Sequence, residues 1–407
     1  MKAASPWADV IKNAHAWEPH IHAFVAFANP PTPNSQKGSL EGLNVGIKDI
    51  IDVQGLPTRN GSEVCHNSQA ATQDAPVVTA LRAAGARIIG KTTTTEFAFT
   101  DPAACRNPHD LNRSPGGSSS GSGAAVAAGV VDIALGTQTA GSLCRPAAYC
   151  GVVGFKPSYG VLSNLGVTPL APSFDSVGII ATSVTLARAA FRAMAPAAFE
   201  IPQDDAKIVH SGCWATDVVL NADTLDALRD ATRTMLDRGM RCTSGDLVAD
   251  VDCIVAAHRT VMNFEAAAVH GGMLVDERMN ALKPKFLEGL RAGAKISPNQ
   301  ASDAAAFLST AKQAFWQGLQ GVDVMVTLPV PEGAPLLDGT TGYQDWLTPW
   351  TVFGGPLICL PWSVDRLGRP RSVMLAGHPG RDAQVLALAA RLETLSPPMP
   401  KPILPSP

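Results

Sequence analysis

An α/β layered fold is what this sequence predicts, on two main observations. Segments of helical periodicity alternate along the chain with short apolar runs that read as strands, and those runs, with their β-branched residues, suit buried strands. A third observation makes such a core feasible: 407 residues, 46% of them hydrophobic, suffice to bury roughly three quarters of the unfolded surface without covalent staples.

The elements follow in order. Residues 7–27 read as a helix, with Val10, Ile11, Ala14, Trp17, Ile21 and Phe24 near one face. NPPTPNSQKGS is a loop punctuated by proline and glycine. LNVGIKDIIDV is a buried strand ending near Lys48-Asp49, APVVTALRAAG a helix stopped by Gly85, and ARIIG a short strand. The small residues SSSGSGAAVAAG suit a helix approached closely by its neighbours, and VVDIALGTQT is a further strand. The middle, about 185–320, reads as mostly helical. After it come two strands, DVMVTLP and PLICLPW, and an amphipathic helix, DAQVLALAARLETL. No repeat or long linker divides the chain, which predicts one domain over residues 1–400 and a Pro-rich tail at 401–407.

Composition excludes several functions. A net charge of −3 with no basic run or aromatic-interleaved patch gives no footprint for nucleic acid. No apolar stretch approaches the roughly 20 residues of a membrane span, and the charged N-terminus lacks a signal peptide's apolar run. Eight cysteines without C-x-x-C pairs argue against zinc or a disulfide framework and suit a reducing compartment, so a cytoplasmic protein is expected. His20 and His22 have no metal-ligand spacing.

Two motifs mislead. GARIIGKT, residues 85–92, fits the phosphate-loop pattern and offers a nucleotide-binding alternative. A working phosphate loop follows a strand and opens a helix, whereas here a helix precedes Gly85 and Arg-Ile-Ile is itself strand-like. GSSSG fits a nucleophile elbow centred on Ser119, with His378 as a distant partner, but a loop with two prolines precedes it where a strand is needed.

Three other segments fit one machine: GIKDIID around Lys48, SPGGSSSGSGAAVAAG at 114–129, and ALGTQTAGSLCRPAAYCGVVGFKPS at 134–158. Together, in this order, they resemble the amidase signature family of Ser-Ser-Lys amide hydrolases, densely over about residues 40–180 and more weakly beyond. The resemblance implies a single large α/β/α domain, with a mixed central sheet flanked by helices and no metal or organic cofactor. It implies Ser142 as nucleophile, Ser118 as a bridging serine preceded by a cis peptide bond, and Lys48 as general base. It further implies an oxyanion hole from the backbone of Thr139, Ala140 and Gly141, and Thr137 as a support that hydrogen-bonds the bridging serine. The residue types suit the chemistry, because a serine hydroxyl needs a base, and lysine serves only if burial lowers its pKa from about 10.4 toward 7–8. An apolar strand around Lys48 is a setting for that.

Two departures stand out. The family usually places Gly-Gly before the nucleophile, where this chain has Ala140-Gly141. Arg145 lies one residue farther on than in most members, a placement shared by a malonamidase-type branch together with GIKDIID, DAPVV, GKTTTT and GTQT. In that branch the arginine pairs with a substrate carboxylate; a structural tie is the competing role. Cys144 reads as a packed thiol rather than a second nucleophile. The expected substrate is a small amide, with a homodimer as one assembly open to the chain. The alternative within enzymes is an amidotransferase-type glutaminase that works with a partner.

Overall fold

The computed structural model describes residues 7–28, 37–199, 205–337 and 339–405. In chain order these form α1 (Trp7–Ile21), β1 (Phe24–Phe27), β2 (Asn44–Lys48), α2 (Pro76–Ala83), β3 (Arg87–Thr92), α3 (Ser120–Ala127), β4 (Ile133–Gln138) and α4 (Cys144–Tyr149). There follow β5 (Val153–Lys156), β6 (Ser176–Ala181), α5 (Val184–Met194), β7 (Ile208–Ser211), α6 (Ala222–Asp237), β8 (Arg241–Ser244), α7 (Val251–His270), α8 (Pro284–Gly293) and α9 (Pro298–Gly318). The chain ends with β9 (Val324–Thr327), α10 (Thr348–Phe353), β10 (Leu357–Val364), β11 (Pro370–Gly377) and α11 (Asp382–Glu393).

All eleven strands join one mixed sheet in the order β1-β3-β2-β4-β6-β5-β10-β11-β9-β7-β8. β2 lies parallel between β3 and β4, and the parallel pairs β9/β7 and β7/β8 close the far edge. Every residue of β2, β4, β5, β6, β9 and β11 is buried; β2, β4 and β9 read as apolar runs in the sequence, whereas β5, β6 and β11 are not singled out there. The helices cover both faces, giving the α/β/α layering expected. Among the described residues no helix is long and apolar enough to cross a membrane.

The differences from the sequence reading have local causes. The helix expected over 7–27 stops at Ile21, and Phe24–Phe27 is an edge strand antiparallel to β3. His22 adopts φ 49°, and the Glu18 carboxylate accepts the N–H groups of Ala23 and Phe24 at 3.1 and 3.2 Å, capping the turn. Phe24 continued the helical apolar face only by coincidence. Within the helical middle, β7 and β8 are strands of four residues each, too short to show a period of their own. Most of the loop expected at 29–39, and the last two residues of the Pro-rich tail, lie outside the described residues; 401–405 carry no regular structure.

α3 rides very close to the sheet edge. A side chain at Gly121 would stand 2.2 Å from the Ala23 carbonyl oxygen and 2.4 Å from the Thr93 nitrogen, so only glycine permits that approach. Residues 87–92 of GARIIGKT are β3 itself. Lys91 points into the protein and pairs with Asp49 at 2.9 Å, both side chains fully buried. Ser119 is also committed elsewhere: its Oγ donates to the Thr137 carbonyl and accepts the Thr137 N–H, each at 3.2 Å. His378 donates from Nε2 to the Val322 carbonyl at 2.9 Å.

Candidate active site

Two neighbouring parallel strands, one turn and one short helix bring the three motifs together. β2 delivers Lys48 at its last residue, and β4 beside it runs out through Gln138 into the 139–142 loop. Ser118 precedes α3, directly after a cis Gly117–Ser118 peptide bond. α4 starts at Cys144 and carries Arg145 and Tyr149.

Lys48 is fully buried, and its Nζ lies 2.7 Å from Ser118 Oγ and 2.7 Å from Thr137 Oγ1. Burial pushes its pKa down to about 7, with the Asp175 charge pulling the other way. Near neutral pH a large share of Lys48 is therefore unprotonated, and its lone pair faces a serine hydroxyl. Thr137 corrects one expectation. Its hydroxyl meets Lys48 rather than Ser118, because β4 is the direct neighbour of β2 and its side chain reaches across to that strand's end.

Ser142 is 7% exposed, and no protein group among the described residues engages its hydroxyl. The Ser119 N–H donates to the Ser142 carbonyl at 3.1 Å, tying the two serine segments together. Ser118 and Ser142 thus adjoin without a hydrogen bond between their hydroxyls, a looseness common in enzymes without substrate.

The loop between Gln138 and Ser142 is held from several sides. The Thr139 carbonyl accepts from His258 Nε2 at 2.9 Å, and the Thr139 hydroxyl donates to Asp175. The Ala140 carbonyl accepts from the Thr351 hydroxyl, which in turn accepts from Gln138 Nε2 at 3.0 Å. Gln138 Oε1 accepts the N–H groups of Leu143 and Cys144, at 3.2 and 3.0 Å. The N–H groups of Ala140, Gly141 and Ser142 find no acceptor among the described residues. Ala140 is not in the positive-φ region, so alanine in place of the family's glycine brings no backbone strain. Burial raises Asp175 to about 6, against hydrogen bonds from Thr139, Leu170 and Ala171. Burial lowers His258 to about 4, so its ring is neutral and carries its proton on Nε2.

Arg145 is 1% exposed. Nη2 donates to the Gly117 carbonyl at 2.6 Å and to Thr341 Oγ1 at 3.3 Å, while Nε and Nη1 have no partner among the described residues. Burial pulls its pKa down to about 10, which leaves it charged at neutral pH. One turn on lies the buried Tyr149 hydroxyl, beside the Tyr343 backbone. Cys144 is buried. Among the described residues no three potential ligands cluster to hold a metal ion.

Sequence reasoning missed Asp175, His258, Thr351 and Tyr149. The first had a faint signal, a lone carboxylate beside the apolar run SVGII. His258 and Thr351 had none, since each reaches the loop from a distant helix.

Comparison with known proteins adds to this geometry. Residues 22–225 match the family model described as Amidase. Amidase 1 of Arabidopsis thaliana is 46% identical over 157 residues, which is 37% of this chain and 37% of that one. The A-type subunit of the glutamyl-tRNA(Gln) amidotransferase from Anaeromyxobacter sp. (strain K) is 46% identical over 166 residues, 39% of this chain and 34% of its own. The matched region thus spans little more than a third of these relatives' length. A solved amidase structure superimposes with a TM-score of 0.86 at 27% identity, covering 96% of this chain and 95% of that one.

Proposed function

We propose that this chain, which belongs to the amidase family, hydrolyses a small carboxamide to a carboxylate and ammonia through an acyl-enzyme. The observation that carries the reading is the buried Lys48, poised near neutrality at 2.7 Å from Ser118 and beside the unengaged hydroxyl of Ser142. In this mechanism neutral Lys48 takes the Ser118 proton while Ser118 takes the proton of Ser142. Ser142 Oγ bonds to the amide carbon, and the carbonyl oxygen becomes an oxyanion in reach of the free N–H groups of Ala140 and Gly141. The C–N bond then breaks as the proton returns through Ser118 to the leaving nitrogen, releasing ammonia. Water attacks the ester by the same relay and frees Ser142. Each preorganised oxyanion donor is worth roughly 3–4 kcal/mol.

The substrate class follows from Arg145. A buried guanidinium with Nε and Nη1 unpaired favours a ligand carboxylate, and the Tyr149 hydroxyl one turn on offers a further donor. A half-amide of a short dicarboxylic acid, such as malonamate, supplies that carboxylate beside the scissile amide. Ammonia release from malonamate and from propionamide tests both levels. A preference for malonamate supports the Arg145 reading, and no release from any small amide by the wild type overturns the hydrolase. The likeness to glutamyl-tRNA(Gln) amidotransferases supports a second reading, a glutaminase that passes ammonia to a partner. Glutamine as the preferred substrate, together with a copurifying chain, would favour it.

A further inference from the structure

The 139–141 loop carries two carbonyls that are gripped and two N–H groups that are not. The peptides 139–140 and 140–141 are both trans. In a planar trans peptide the C=O of one residue and the N–H of the next point in opposite directions. Fixing the Thr139 carbonyl therefore fixes the Ala140 N–H, and fixing the Ala140 carbonyl fixes the Gly141 N–H.

The gripping donors come from two helices that pack on each other, α7 with His258 and α10 with Thr351. Both carbonyls are drawn to that side, so both N–H groups face the other way, where no acceptor among the described residues meets them. His258 is itself braced: its ring packs at a tilt against Phe174, centroids 4.3 Å apart, one residue before the Asp175 that holds the Thr139 hydroxyl. Thr351 is braced by Gln138, whose other amide atom takes the N–H groups of Leu143 and Cys144 behind the serine.

We propose that His258 and Thr351 are positioning residues that aim the Ala140 and Gly141 N–H groups at the developing oxyanion. The inference rests on the reading of Ser142 as nucleophile. Neither residue touches substrate; each acts through one peptide plane. A donor aimed at charge that exists only in the transition state raises kcat more than it lowers KM.

The test uses the full chain and p-nitrophenyl propionate, with ethylboronic acid as the probe that forms a tetrahedral anion on Ser142, and propionate as the ground-state ligand. His258→Phe keeps the ring contact and removes the donor; Thr351→Val keeps the shape and removes the hydroxyl. Each should lower kcat about tenfold to a hundredfold, with KM changed less than about threefold. The Kd of ethylboronic acid should weaken by the same factor as kcat, and that of propionate should not move. His258→Gln and Thr351→Ser, which restore a donor, should recover most of the loss. The proposal is overturned if kcat stays within twofold in both donor-less variants, or if boronate and propionate weaken together. It is also overturned if the donor-restoring variants recover nothing. Ser142→Ala separates the two levels: if that variant still turns over, the reading of Ser142 as nucleophile fails and the clamp fails with it.

Discussion

Replacing Lys48 by methionine should make the protein more stable while removing its activity, and the gain should fade as the pH rises. The side chain is fully buried, and burial lowers its pKa from 10.5 to about 7. At ~1.4 kcal/mol per unit, that shift represents roughly 5 kcal/mol of cost for keeping a protonated lysine in the interior. Between about pH 7 and 10.5 the unfolded chain holds a proton at this site that the folded chain has released. The unfolded state therefore binds more protons, and wild-type stability rises with pH through that window. The cost is felt in full below about pH 6, falls to roughly 2 kcal/mol near pH 9, and is gone above about pH 11. Methionine escapes it but forfeits the hydrogen bonds to Ser118 and Thr137, worth about 1 kcal/mol each. The net expectation is a variant about 3 kcal/mol more stable at pH 6 and indistinguishable from wild type near pH 9. Urea unfolding followed by the buried tryptophans, Trp17, Trp214, Trp346, Trp350 and Trp362, reads this directly at each pH. Equal pH dependence of the two proteins, or a variant less stable at pH 6, would show that Lys48 is not held as a strained base. Turnover of amides should drop by at least about 10²–10⁴ at every pH.

Four further outcomes follow from the same geometry. Ser142→Ala should abolish ammonia release with unchanged circular dichroism, and wild type alone should show an acyl adduct by intact mass; a variant retaining a tenth of the activity refutes the nucleophile. Ser118→Ala should lose at least about a hundredfold in kcat but less than Ser142→Ala, since a water can carry part of the relay; equality with wild type removes Ser118 from the path. Asp175→Asn takes away the charge that holds the Lys48 pKa up, so the rising limb of the pH–rate profile should move to lower pH, and an unmoved limb contradicts the coupling. Arg145→Leu should cost malonamate about ten- to a hundredfold in kcat/KM while sparing propionamide, and equal damage to both marks Arg145 as a structural tie.

What the sequence made legible and what it hid divide along a physical line. Lys48, Ser118 and Ser142 each sit in a stretch whose composition is unusual on its own: a lysine in an apolar strand, serines among glycines, a serine at a strand exit. The phosphate-loop pattern could be dismissed because strand and helix order is also local, and the Lys91–Asp49 pair gives that lysine its own buried partner. The strands β2, β3 and β4 were readable because near-complete burial shows as runs rich in apolar residues. Contacts that depend on topology left no such trace. His258 grips a carbonyl 119 positions away, and Thr351 one 211 positions away. Nothing in AAHRTV or TPWTVF distinguishes either residue from an ordinary helical side chain. The end of α1 was missed for the opposite reason: a residue on the strand, Phe24, fell by chance on the helical face.

That division runs close to the limit of the family match. The family model ends at residue 225, and Lys48, Ser118, Ser142, Asp175 and Arg145 all fall inside it. His258 on α7, Thr341 in the loop beside Arg145, and Thr351 on α10 fall outside it. On the proposed mechanism, the residues inside the family model supply the nucleophile, the base and a loop with free N–H groups. The part beyond supplies the donors that aim those groups, and a hydroxyl partner for the guanidinium. A loop that merely contains an oxyanion hole becomes a rigid one only when both of its carbonyls are fixed, and here both fixings come from the C-terminal half. Exchanging α7 through α10 for the equivalent stretch of another member should therefore change rate and substrate preference while leaving the Lys48–Ser118 contact intact. A chimaera with unaltered kcat and unaltered preference would place both properties in the shared half instead.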